Sequence, residues 1–418
     1  MSHPWLTAYI DPGTGSMLFT ILVGLIGAAA WSFKAFFMKW KVRLAGGQVK
    51  EDAGQLPLVV FSDSKRYFFV FEPVCRELAG RGIPIAYLTG SEDDPAFSCD
   101  IPGLTAEYIG TGDAMFARLN RLNAAVVLST TPGLDVYQWK RSPRVKAYVH
   151  MLHAANEVTL YRMFGLDYYD AELLSGEYQV EQIRALEALR NLPAKELAIT
   201  GLPYLDVMAE RVRAAGARPA HERTVLLAPS WGPSAIFAVH GSTILEKLLE
   251  TGYRVIVRPH PQSFTAEAKM LEKLMADFPD SDRLSWNRDT DNFNALREAD
   301  ILISDFSGVI FEFALAHDKP VIYTDPDFDL APYDAWGLKD MPLWTVSALP
   351  RIGQRLDADS LQNLKGLIDQ CLDDPRYAAG RREVREETWV PAGEGTLRTA
   401  DWLEAKIHEL TRKEADAS

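Results

Sequence analysis

Three cysteines, Cys75, Cys99 and Cys371, are scattered through 418 residues, and none stands in a C-x-x-C pair. That scarcity excludes a disulfide framework and a cysteine zinc site, and it fits a reducing compartment. A basic surplus is missing as well: 44 Lys and Arg against 57 Asp and Glu leave a formal charge of −13. No cationic surface is then to hand for a nucleic-acid backbone, so nucleic acid is excluded as a partner. The chain shows no internal repeat at solenoid periods. H-E-x-x-H is absent too, and the pair His150-x-x-His153 has no evident third ligand, so no metal site is assigned.

Long apolar runs are rare, with one exception. Met17–Phe33, MLFTILVGLIGAAAWSF, carries no charge, and its length approaches the roughly 20 residues that cross a bilayer. Asp11 is the only charged side chain before it, whereas Lys34, Lys39, Lys41, Arg43 and Lys50 follow. A cleaved signal peptide carries its positive charge in front, and the positive-inside rule keeps a basic flank in the cytoplasm. The expectation is a single-pass anchor in the inner (cytoplasmic) membrane over residues 1–44, with the catalytic domains in the cytoplasm.

A small, polar, aperiodic stretch at 45–56 reads as a linker. Beyond it, short β-rich runs alternate with amphipathic segments: 58–61, 83–88, 124–129, 145–150 and a run ending in AELLS, then 224–229, 253–258, 299–304 and 319–324. Strands alternating with helices imply parallel βαβ units. At 418 residues two cores are expected. The charged, Ala-rich region 207–223 divides the series. The fold class expected is therefore α/β, two Rossmann-like doubly wound domains facing a cleft, preceded by the membrane helix. Residues 57–215 form the first domain and 216–418 the second, with a helix near 394–413 crossing back.

Ligands of doubly wound sheets sit beyond the carboxyl ends of strands. The polar residues there are His150 and His153 after VKAYV, Ser230, Trp231 and Gly232 after TVLLAP, Arg258 and His260 around Pro259, and Ser304, Asp305, Ser307 and Gly308 after ADILI. Helix-start amides near Ser307 attract phosphate oxygens, and Glu312 one turn on suits ribose hydroxyls. Helix capping by Asp305 or Ser307 explains the same residues without a ligand. A guanidinium and an imidazole at 258–260 suit phosphate oxygens, and His153 is placed to take a proton from an acceptor hydroxyl.

These corners, in this order, resemble the CDP-glycerol glycerophosphotransferase family of teichoic-acid-type polymerases and primases. ADILISDFSGVIFEFALAHDKPVIYTDPD is similar to the family's aDvLITDYSSvfFDfallnkPiifY, IVRPHP to R-x-HP, LLAPSWG to APTW, and TGLPYLD to tGyPRnD. YVHMLHAAN falls where the family has QtWHGTPLK. The resemblance implies a GT-B fold, His153 as base, His260 as a second catalytic histidine, and Trp231, Gly232, Arg258, Ser304, Asp305, Ser307, Gly308 and Glu312 around the nucleotide and phosphates. It implies a CDP-glycerol or similar nucleotide-activated donor as substrate rather than a resident cofactor. The acceptor expected is a hydroxyl of a lipid-linked glycan or cell-envelope polymer, and CMP is released. Departures are Ala154, Ala155 and Asn156 in place of G-T-P, Glu157 near the family's lysine, Gly308 in place of the second serine, and the missing arginine of TGLPYLD. A GT-B glycosyltransferase using a UDP- or CDP-sugar is the alternative, and a non-catalytic scaffold the third reading.

Overall fold

The runs LPLVVFS, AAVVLS and VKAYVHM are apolar at consecutive positions rather than alternate ones, the pattern of strands covered on both faces. In the computed structural model, which describes residues 54–415 apart from 290, 306 and 326–328, they are the centre of a seven-stranded parallel sheet. Its strands are β1 (Leu56–Ser62), β2 (Ile85–Thr89), β3 (Leu104–Tyr108), β4 (Ala124–Ser129), β5 (Val145–Met151), β6 (Ala171–Leu174) and β7 (Glu196–Ile199), in the order β3-β2-β1-β4-β5-β6-β7. A second parallel sheet has six: β8 (Thr224–Leu227), β9 (Arg254–Val257), β10 (Leu284–Trp286), β11 (Ile301–Ser304), β12 (Val321–Tyr323) and β13 (Gly353–Arg355), in the order β10-β9-β8-β11-β12-β13.

The two orders are the same doubly wound pattern, reversing between β1 and β4 in one sheet and between β8 and β11 in the other. A crevice opens at each reversal because the crossovers on either side leave in opposite directions. Both reversals carry the same stitch. Ser129 at the end of β4 donates to the Phe61 carbonyl at 3.0 Å, and Ser304 at the end of β11 donates to the Ala228 carbonyl at 2.6 Å.

Strands β3, β7, β10 and β13 have no counterpart among the sequence-predicted strands, and all four are sheet edges. An edge strand has one open side, so it needs no long apolar run to be stable; GQR at β13 illustrates this.

The charged stretch 207–223 lies between the last strand of the first sheet and the first strand of the second, and its first part is helical. The helix Pro203–Ala215 starts on a proline and ends before Gly216, whose φ is +63°. Proline at the first position lacks only an N–H that would go unused, and glycine accepts the positive φ at the stop. This helix packs on Phe68–Gly80 of the first half and on the turn Glu312–Ala316 of the second. One buried cluster accordingly runs from Val59, Leu202 and Leu205 through to Leu302 and Phe313. Polar ties reinforce it. Glu157 accepts from the Thr345 N–H at 2.6 Å, Asp334 accepts from the Phe164 N–H at 2.8 Å and pairs with Arg190, and the Ala335 N–H donates to the Thr159 carbonyl at 2.8 Å.

The expected single-pass inner-membrane anchor is corrected here. Met17–Phe33 lies outside the described residues, and among the described residues no helix is long and apolar enough to cross a membrane. Among the described residues the one helix of spanning length, Gly395–Ala415 with 21 residues, carries Arg398, Asp401, Glu404, Lys406 and Glu409. It turns Ala400, Leu403 and Ile407 onto the first half beside Phe71 and Leu78. Each large apolar side chain so covered contributes about 1.5–3 kcal/mol. Asp206 of TGLPYLD holds the approach to this helix by accepting from Trp389 Nε1 at 2.7 Å and from the N–H groups of Gly393 and Gly395 at 2.7 and 2.6 Å.

Candidate active site

A cleft of about 1580 Å³ lies between the two sheets. Of the sequence-predicted site residues it brings together His153, Arg258, His260, Asp305, Ser307, Gly308 and Glu312.

From the first half comes the loop that follows β5. Here the two histidines of H-x-x-H part company. His150, still in the strand, is fully buried, with Nδ1 2.9 Å from Glu172 Oε2 and Nε2 3.2 Å from the Thr130 carbonyl. A carbonyl only accepts, so Nε2 carries a proton and the imidazole is committed to holding β4, β5 and β6 together. His153, three residues on, has left the strand and lines the cleft. The Tyr67 ring packs edge-on against it with centroids 5.3 Å apart, and its Nδ1 is buried with no hydrogen-bond partner in the protein. Burial, reinforced by the His150 imidazole, holds its pKa down at about 4. At neutral pH it is an uncharged base whose basicity rises when a phosphate enters nearby. Among the described residues no group of three or more His, Cys, Asp or Glu side chains is placed to hold a metal ion.

From the second half, Arg258 leaves β9 with its guanidinium donating to Asn287 Oδ1. Burial pulls its pKa below the ordinary value, against the charges of Asp289, Asp291 and Glu312. His260 Nδ1 accepts from the Gln262 N–H at 3.1 Å. That bond assigns the proton to Nε2 and makes the ring a donor at its far edge. Burial lowers its pKa, the Arg66 charge adds to the effect, and Glu267 opposes it.

After β11 the expected helix is short: one α turn, Val309–Phe311, passes at once into a π turn, Glu312–Ala316. A dipole summed over so few peptides is weak, and the site relies more on individual N–H groups. Glu312 stands at the α-to-π junction, a kind of local irregularity common at functional sites. Its Oε2 accepts from Asn292 Nδ2 at 2.7 Å. Burial raises its carboxyl to about 7, against the Asn292 hydrogen bond and the Arg258 charge. Gly308 lies so close to the opposing loop that a Cβ added there would meet the Ala154 Cβ at 3.6 Å.

Three predicted residues are not on the cleft wall. Ser304 is buried and spends its hydroxyl on the Ala228 carbonyl. Trp231 is 44% exposed and Gly232, with φ +99°, donates its N–H to Glu267 Oε1 at 2.9 Å; neither lines the cleft. Asp305 does line it, but its carboxylate accepts from the Ser230 N–H at 2.9 and 3.0 Å and from the Ile236 N–H at 3.1 Å. It shapes the loop after β8, the cap-like role that competes with ligand binding for such residues. Glu157, near where the family pattern has its lysine, is buried against Gln182 and Thr345.

Sequence reasoning missed Arg66 and Tyr67, which follow β1, and Tyr204 and Arg211 on the bridging helix, all on the cleft wall. The strand-end rule reaches the first two once LVVF is treated like the other strands. Tyr204 stands in TGLPYLD, where the family pattern has its arginine, so the motif points to it; nothing local marks Arg211, which falls in the stretch read as a boundary.

The fold agrees with what comparison finds. Among curated proteins none matches the chain in sequence. Solved structures of the wall teichoic acid polymerase TagF superpose over nearly the whole chain: one with TM-score 0.59, 15% identity, 93% of this chain and 99% of that one, and one soaked with CDPG with TM-score 0.57, 16% identity and coverages of 93% and 98%. A putative UDP-N-acetylglucosamine 2-epimerase from Listeria monocytogenes follows with TM-score 0.53, 13% identity and coverages of 83% and 94%. At such identities the likeness is one of fold, a GT-B-like pair of sheets. The sequence profile of CDP-glycerol:poly(glycerophosphate) glycerophosphotransferases matches residues 166–394. That span holds Arg258, His260, Ser307 and Glu312 and begins after His153. Covering more than half of the chain, it places this protein in the CDP-glycerol:poly(glycerophosphate) glycerophosphotransferase family, as a transferase of that type.

Proposed function

We propose that the cleft transfers glycerol phosphate, or a related polyol phosphate, from a CDP-linked donor to a hydroxyl of a lipid-linked glycan or cell-envelope polymer of the teichoic-acid type. Residues 57–215 form the acceptor half and 216–418 the nucleotide half. The acceptor oxygen attacks the donor's β-phosphorus, the bond from that phosphorus to the bridging oxygen breaks, and CMP leaves with the bonding pair. His153 takes the acceptor proton and passes it to solvent. Arg258, the Nε2–H of His260 and the amides near Ser307 and Gly308 hold the phosphate oxygens, worth most in a cleft that excludes water. Glu312, as a carboxylate, accepts from ribose hydroxyls. Phe69 and Phe264, exposed on opposite walls, offer apolar faces to the acceptor.

One observation carries this reading: a buried, uncharged imidazole with an unpartnered nitrogen shares a cleft with a guanidinium and a donor imidazole from the other sheet. The test is a donor screen with the purified protein, comparing CDP-glycerol, other CDP-polyols, and UDP- and CDP-sugars. Release of CMP is expected from CDP-glycerol. Release of CDP or UDP instead would show attack at an anomeric carbon and overturn the phosphoryl-transfer reading.

A further inference from the structure

The turn Lys65–Tyr67 leaves β1 at the reversal point of the first sheet and lines the cleft. Its three side chains have different fates. Lys65 is paired with Asp93. Tyr67 packs on the His153 ring. Arg66, between them, has no carboxylate at ion-pair distance among the described residues, and its Nε makes only a long contact of 3.4 Å to Ser64 Oγ. A surface arginine is ordinarily solvated and inert. This one sits one residue from the side chain that packs on the base, at the crevice where a doubly wound sheet takes its ligand. Arg258 and His260 of the other sheet line the same cleft. The Arg66 charge is felt at His260, where it opposes protonation, and on its own turn at Asp63, whose carboxyl burial raises and Arg66 draws back. A guanidinium on a cleft wall with no carboxylate to pair with is available to an anionic ligand.

We propose that Arg66 binds the β-phosphate of the donor from the first half, so that the transferred group is gripped by both halves while the nucleoside and α-phosphate are held by the second half alone. The proposal rests on reading the cleft as a nucleoside-diphosphate site. A guanidinium fork bonds two phosphate oxygens at once, which an ammonium does not. When the bond to the bridging oxygen breaks, Arg66 stays with the group that moves to the acceptor, while CMP departs with the second half.

The experiment is calorimetric titration of wild type, Arg66→Gln and Arg66→Lys with CMP, CDP, UMP and UDP at low ionic strength. The inference expects Arg66→Gln to weaken binding of the preferred diphosphate about tenfold or more, to leave the matching monophosphate within about twofold, and Arg66→Lys to recover part of the loss. Retained monophosphate binding also reports that the variant is folded. Equal losses for mono- and diphosphate, or no loss for either, overturn the inference and leave the nucleotide reading standing. Wild type that binds no pyrimidine nucleotide overturns both. A uridine preference moves the donor class while keeping Arg66 in its role.

Discussion

The corner after β5 in the first sheet and the corner after β11 in the second are built alike. In each, the polar side chain still in the strand is consumed by the sheet: His150 by Glu172 and Thr130, Ser304 by Ala228. In each, the polar side chain three residues later reaches the cleft: His153 in one, Ser307 in the other. The corners differ in what surrounds the second residue. His153 is desolvated with an unpartnered nitrogen, whereas Ser307 shares its side of the cleft with Arg258, Asn292 and Glu312, a wall rich in donors and charges. A strand residue adds to fold stability because its neighbours on both sides are fixed. A residue past the strand end is held less tightly and is available for a ligand.

That contrast breaks most sharply at the histidines. His153→Ala should lower the transfer rate about 10²–10⁴-fold, the usual worth of a general base, with CMP affinity unchanged; turnover within a few-fold of wild type removes His153 from the mechanism. His150→Ala should do the opposite kind of damage. It leaves Glu172 fully buried without its partner, at a cost of about 3–5 kcal/mol in denaturant unfolding. A stable His150→Ala protein with lost activity would reverse the roles assigned to the two rings.

Next in size is Glu312. Its ordinary value is 4.5 and the folded value about 7, so between those pH values the folded protein holds a proton that the unfolded chain has released. The group's contribution is full below about pH 4.5 and is lost as pH rises through 7. Glu312→Gln should therefore match wild type in stability near pH 4.5 and exceed it by about 2–3 kcal/mol at pH 8, while binding nucleotide more weakly. Thermal unfolding across that range checks it, and a difference independent of pH would refute the buried-carboxyl account.

The serines sharpen the comparison at smaller scale. Ser304→Ala leaves the Ala228 carbonyl unmet and should cost about 1 kcal/mol in stability without altering CDP affinity. Ser307→Ala should leave stability alone and weaken CDP binding several-fold. If both act on the same quantity, the distinction between strand end and strand end plus three is wrong.

Smallest is the pair of family departures that meet across the cleft. Alanine stands at 154 where the family pattern has glycine, and glycine at 308 where it has serine, and a Cβ added at 308 would come within 3.6 Å of the Ala154 Cβ. Gly308 has φ −57°, so a side chain there meets no backbone strain. Gly308→Ser should change CDP affinity by less than about threefold, under ~1 kcal/mol; a tenfold loss in a titration would mean the gap is filled by substrate.

The order of strands along the chain, the corners that carry polar groups and the family resemblance were all legible, because a buried parallel strand needs a continuous apolar run and a polar residue ending that run stands out. Edge strands such as GQR at β13 were not legible, since one open side relaxes that need. The Asp206 carboxylate looks like a motif member in the sequence and Glu157 like a departure from one, and both prove to be fasteners, each accepting from donors far away in the chain.

What the linear chain settled by itself was local: periodicity, the identity of each corner, and the excess of negative charge. What the tertiary structure decided was partnership. Whether Ser304, Asp305 or His150 binds a ligand or another part of the protein depends on which carbonyl or N–H group the folding of two sheets brings within 3 Å or so of it, a distance that hydrogen bonds demand and that sequence separation does not record.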